Sequence, residues 1–178
     1  MKRTAFSTAL MLGLAACGGG ESADTGAADT AAEAPAAEAS AAAAGEMTMP
    51  SWYRMDGNAV TLDIVAGATS AGNYWNFNGA QNGAMTINVP VGSEVTINFS
   101  NQDPNMAHSL GISPGFETAP AMIDATPVFA GAITSEPTSM TAATLPGGSE
   151  TITFTADAAG EYTMVCYIAG HLVSGMWI

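Results

Sequence analysis

Along residues 47–178, apolar and polar positions alternate in short runs. Met85, Ile87 and Val89 alternate with Thr86 and Asn88, and after Pro90-Val91-Gly92-Ser93 a second run sets Val95, Ile97 and Phe99 against Thr96 and Asn98. Two period-2 runs about a Pro/Gly turn predict a β-hairpin. In Thr151 to Thr155, Ile152 and Phe154 share a face; beyond Gly160, Tyr162, Met164 and Cys166 share another. Val60 to Val65 reads as an earlier strand and Trp75 to Phe77 as a further one. No stretch of this region carries a convincing amphipathic helix, and no internal repeat is evident. From Ile112 to Gly148 the chain is irregular and rich in Pro, Thr, Ser and Ala, which predicts a long connection with one or two edge strands. Many short strands between turn residues predict an all-β domain over 47–178, a Greek-key β-sandwich.

The first 46 residues follow other rules. Met1-Lys2-Arg3 is a short positive segment, and the apolar run Thr4 to Leu14 is too short to span a bilayer but suits a signal peptide. It ends in Leu14-Ala15-Ala16-Cys17, which resembles the bacterial lipobox, where small residues precede a Cys that is lipidated and becomes the new N-terminus. A plain secretory signal cut at Ala16 is the alternative. The expectation is a lipoprotein signal peptide over 1–16, a lipid anchor on Cys17 and export to the periplasmic or extracellular face of a membrane. Residues 18–46 are Gly, Ala, Ser, Glu, Asp and Thr with a single Pro, and hold no aromatic or large apolar side chain. Such a segment cannot build a core, so 17–46 is expected to be a disordered tether, about 30 Å as a coil and at most about 100 Å extended.

Composition narrows the partners. The chain has 16 Asp and Glu against three Lys and Arg, a formal net charge of −13. Loss of Lys2 and Arg3 with a signal peptide would leave those 16 acids facing Arg54 alone. Nucleic acid is excluded, because nothing neutralises phosphates. An acidic surface steers basic partners, although solubility alone explains the same charge.

The candidate chemistry lies in two Cys and two His. The C-terminal segment places Cys166, His171 and Met176 in the spacing Cys-x4-His-x4-Met, with a strand delivering the thiol and a Gly-containing loop delivering the imidazole and thioether. A second imidazole can come only from His108, which follows the Val95–Phe99 strand on a loop. Two imidazoles and a thiolate with a weak axial thioether form the pattern of blue-copper electron-transfer centres. Each residue has a blander alternative: an inert buried thiol, a loop histidine, or a methionine that fills the core.

These stretches resemble the cupredoxins, and among them the sulfocyanin and rusticyanin group. The resemblance runs through Asn76-Phe77-Asn78-Gly79, Asn82-Gly83, Val89-Pro90 to Asn101, His108-Ser109-Leu110, Gly160 to Cys166, Gly170-His171 and Ser174-Gly175-Met176-Trp177. It implies a cupredoxin-like sandwich and one type 1 copper held equatorially by His108, Cys166 and His171, with Met176 axial. It also implies electron transfer in a membrane-associated respiratory chain, to redox proteins such as c-type cytochromes or a terminal oxidase. By the same resemblance Ser109, which stands where many cupredoxins have Asn, hydrogen-bonds near the Cys166 loop. The rim of His171, flanked by Ala169, Gly170, Leu172 and Val173, is expected to emerge through an apolar docking patch. Two His leave no residues for a second copper centre, so the expectation is a monomeric carrier and not an enzyme. Copper trafficking and a metal-free adhesion-like sandwich are the competing readings.

Overall fold

The computed structural model describes residues 49–178. The expected signal peptide over 1–16, the lipidation site at Cys17 and the tether over 17–46 lie outside the described residues. Six strands appear: β1 (Tyr53–Asp56), β2 (Ala59–Ala66), β3 (Glu94–Asn101), β4 (Gly111–Pro114), β5 (Ser149–Thr155) and β6 (Tyr162–Val165). They form a four-stranded sheet in the order β1-β2-β3-β5 and a two-stranded sheet of β4 and β6. The only helical element among the described residues is a 3-10 turn at Ala71–Tyr74, and none of their helices is long and apolar enough to cross a membrane. The fold is thus mostly β, with two sheets in the manner of a cupredoxin sandwich.

The alternation read from the sequence builds the core. β2 turns Val60, Leu62, Ile64 and Ala66 inward, and β3 turns Val95, Ile97, Phe99 and Asn101 inward. The register sets Val60 beside Val95, Leu62 beside Ile97 and Ile64 beside Phe99, and β5 adds Phe154 beside Val95 and Ile152 beside Ile97. Buried side chains of this size contribute about 1.5–3 kcal/mol each.

The expected hairpin does not form. β3 uses one edge for β2, in parallel, and the other for β5, antiparallel. Parallel neighbours require a long crossover, and residues 67–93 supply it. Within it 84–90 pairs with no strand, yet Met85, Ile87 and Val89 pack half-buried against the core while Thr86 and Asn88 stay exposed. Period 2 reported the inward face correctly and could not report the partner. Trp75 to Phe77 is not a strand either; Phe77 makes only isolated bridges to Ala66 and Ala80. Here Asn76 builds turns: its amide donates to the carbonyls of Thr69 (2.8 Å) and Ala71 (3.0 Å), and its oxygen accepts from the Gly79 N–H (3.0 Å).

The long segment after β4 is irregular, as expected, and is tied down by isolated bridges from Gly111 to Ile133 and from His108 to Thr144. The end of the chain is pinned. Met164 and Ile178 exchange two backbone hydrogen bonds (2.9 and 3.0 Å), and Trp177 bridges Val165, so 176–178 continues the sheet beside β6.

Candidate metal centre

Each donor is delivered by backbone that has little freedom. β3 ends at Asn101, and the following loop returns to β4 through His108, whose backbone N–H and C=O both pair with Thr144 (3.0 and 3.1 Å). Cys166 stands one residue beyond β6 and donates its N–H to the Met176 carbonyl (3.2 Å). Between them the chain makes a tight loop: His171 N–H bonds Ile168 O (3.1 Å), and Met176 N–H bonds His171 O (3.0 Å). Gly175 closes it at φ +99°, where a Cβ would lie 2.6 Å from the Asn82 side chain.

The side chains converge. His108 Nδ1 lies 3.2 Å from His171 Nδ1 and 4.0 Å from Cys166 Sγ, and His171 Nδ1 lies 3.4 Å from the same sulfur. A point equidistant from these three atoms is about 2.1 Å from each, within the 2.0–2.3 Å range of bonds from a small cation to imidazole nitrogen and thiolate sulfur. Cys166, His108 and Met176 are fully buried, and His171 is nearly so. The donor set is soft, and it suits a single copper ion better than a hard oxygen-seeking cation.

Burial sets the metal-free protonation. It pushes the Cys166 thiol above its ordinary range, against hydrogen bonds from the backbone of Ser109 and Ile168 and from the Ser109 hydroxyl. It lowers His108, against the raising effect of Asp103, and with the neighbouring His108 it brings His171 down to about 4. Both imidazoles are therefore neutral near pH 7, with lone pairs to offer. A bound cation inverts the logic for sulfur and holds it as thiolate.

Residues 45–178 match the sulfocyanin (SoxE) domain. The chain belongs to the sulfocyanin family. Sulfocyanin of Sulfolobus acidocaldarius is 33% identical over 135 residues, which make up 70% of this chain and 64% of that protein. The chain thus spans just under two thirds of that relative's length. Among solved structures, dithionite-reduced auracyanin from the photosynthetic bacterium Roseiflexus castenholzii is similar at 30% identity, 66% of this chain, 91% of that one and a TM-score of 0.43. Rusticyanin from Thiobacillus ferrooxidans is similar at 25% identity, 71% of this chain, 82% of that one and a TM-score of 0.49. The family assignment rests on the sequence match.

The structure brings His108, Cys166 and His171 together and buries Met176 in the same loop. Ser109 sits against the sulfur: its N–H points at Sγ (3.4 Å), its Oγ lies 3.6 Å away, and Oγ accepts the Tyr167 N–H (2.9 Å). One expectation is overturned. His171 does not emerge through an apolar patch, because it is only 1% exposed and the indole of Trp75 stacks on its ring at 4.1 Å. The crossover 67–93, mistaken in part for a strand, carries that lid.

Besides Trp75, two residues escaped the sequence reading. Asp103, buried five positions before His108, pairs with its remote nitrogen, Oδ2 to Nε2 at 2.8 Å. Asn101, also buried, accepts the Asp103 N–H (2.9 Å) and donates to the carbonyls of Met106 and Thr144 (2.8 Å each). A signal existed: Asn101 continues the inward face of Val95, Ile97 and Phe99, and a polar residue in that position must find partners.

Proposed function

We propose that the domain carries single electrons through one type 1 copper ion held by His108, Cys166 and His171, with the Met176 thioether as axial donor. The convergence of three buried donor atoms within 4.0 Å of one another, in a sulfocyanin domain, carries this reading. Copper supplies a one-electron couple when bound. Cys166 supplies a thiolate, the source of an intense visible absorption, and the imidazoles supply neutral nitrogens. The paired backbones of His108 and Cys166 keep the donors fixed while charge comes and goes, which limits reorganisation. With two His in the whole sequence, a second copper centre for turnover has no ligands, so the domain is read as a carrier and not an enzyme.

The same reading places the carrier in a membrane-associated respiratory chain, exported and held at the periplasmic or extracellular face by lipid on Cys17. Its signal peptide (1–16) would direct export and be removed, and its tether (17–46) would let a monomeric domain reach a c-type cytochrome or terminal oxidase, whose basic face the excess of acids attracts. The test is an absorption and EPR spectrum of the protein with Cu(II). An intense blue band that Cys166→Ser abolishes is expected; a colourless wild-type protein would falsify the carrier. Copper transfer to a metal-free partner without redox exchange would favour trafficking instead. Retention in the membrane fraction, lost in Cys17→Ser, checks the anchor.

A further inference from the structure

We propose that Asp103 is a positioning residue of the copper site: its carboxylate fixes His108 in the ring tautomer that leaves Nδ1 free for the metal, and it biases the site toward Cu(II). This rests on the copper reading above.

His108 faces the other donors with Nδ1 and faces Asp103 with Nε2, and the two side chains are 0% and 1% exposed. An imidazole that offers a lone pair at Nδ1 carries its proton at Nε2, so the 2.8 Å contact is Nε2–H donating to Oδ2. The carboxylate cannot turn away from this duty. Its Oδ1 accepts the N–H groups of Asn105 (2.8 Å) and Met106 (3.2 Å). Asn101 holds the Asp103 backbone from one side. From the other, Gly67, at φ +71°, leaves room that a Cβ would take up, at 2.6 Å from the Asp103 nitrogen. The last residue of β3 and the first residue after β2 are thus both shaped around this one acid. Among the described residues, His171 has no carboxylate hydrogen-bonded to its ring.

A carboxylate behind a metal-ligating imidazole orients the ring and strengthens its donor nitrogen. A buried anion one ring away from the ion also favours the higher metal charge, because little solvent screens it. Both effects stabilise Cu(II) relative to Cu(I).

Two measurements test this on the full-length protein. The first uses 15N-histidine in the metal-free form and reads which ring nitrogen of His108 carries the proton. Nε2 is expected in the wild type. In Asp103→Asn the amide oxygen can keep the Asn105 and Met106 N–H groups, which turns its NH2 toward Nε2 and drives the proton to Nδ1. The second is the reduction potential of the copper-loaded forms. A fall of about tenfold in the Cu(II)-to-Cu(I) affinity ratio is expected for Asp103→Asn, which raises a one-electron potential by about 59 mV. A wild-type proton on Nδ1, or an unchanged potential in folded Asp103→Asn, overturns the proposal. If that variant does not fold, the wild-type ring measurement decides alone. A wild-type protein without a charge-transfer band overturns the copper reading instead, and the ring nitrogens still decide the tautomer.

Discussion

The two imidazoles of the site look alike in the sequence and are held by opposite means. His108 comes from the loop after a central strand, with its backbone paired to Thr144 and its remote nitrogen bonded to a buried carboxylate. His171 comes from a tight loop between Cys166 and Met176, and its ring lies under the face of Trp75. One side of the centre is locked by polar contacts that must all be satisfied together. The other is closed by an aromatic lid that needs only shape and apolarity. A buried polar lock is stiff because any broken link leaves an unpaired group in the interior, whereas a stacked ring can slide at modest cost. The site thus joins a fixed imidazole to one that its surroundings shield from water.

The largest effect expected from this difference concerns stability without metal. His108→Ala takes from the buried Asp103 carboxylate its Nε2–H donor and should cost about 3 kcal/mol. His171→Ala removes a ring stacked on Trp75 and leaves no charge behind, so about 1–2 kcal/mol is expected. Urea unfolding of the two metal-free variants reads both costs. Equal losses would mean that the carboxylate contributes nothing special, and the distinction between lock and lid would be wrong.

Acid sharpens the same contrast. Burial holds both rings below the ordinary histidine value of 6.5, His171 down to about 4. Between those pH values the unfolded chain binds more protons than the folded one, so stability is full above about pH 6.5 and is lost as pH falls toward 4. On the order of 1–3 kcal/mol is expected in the metal-free protein, from the urea midpoint at pH 7 and at pH 4.5, with His171→Gln as the control that isolates this ring. Trp75→Ala should admit water to His171 and raise its pKa from about 4 toward 6.5, while His108 stays low. Ring titration by NMR follows each histidine separately. A His171 that fails to move in Trp75→Ala would show that the lid is not what buries it.

How much of this was readable in advance follows from what each pattern encodes. Alternation placed Val60 to Val65, Val95 to Phe99, Thr151 to Thr155 and Tyr162 to Cys166 in strands, because one buried face repeats every second residue. The same pattern in Met85 to Val89 described an inward face without a partner strand, since pairing depends on which edge of β3 is free. The Cys-x4-His-x4-Met spacing made one half of the centre legible, because local sequence alone brings those residues together. His108 was found by elimination. Asp103 and Trp75 were not found, because each meets its histidine through tertiary folding. The acid arrives by the turn that Asn101 organises, and the indole by a crossover whose turns were mistaken for a strand.

The smallest effect expected comes from Ser109, which touches neither imidazole and acts on the sulfur between them. Its backbone N–H, at 3.4 Å from Sγ, survives in Ser109→Ala; the hydroxyl, at 3.6 Å, does not. Because Oγ already accepts the Tyr167 N–H, its own proton is free to point at the sulfur. Loss of that donor leaves the thiolate more electron-rich, which stabilises Cu(II) and lowers the potential. The contact is long, so a change of about 0.5 kcal/mol is expected, in the direction opposite to Asp103→Asn. Potentiometry on the two variants and their double mutant reads the signs and whether they add. Opposite, additive shifts would place the imidazole lock and the sulfur donor as separate controls on one ion. An unchanged potential in Ser109→Ala would reduce the hydroxyl to a support for the Tyr167 backbone.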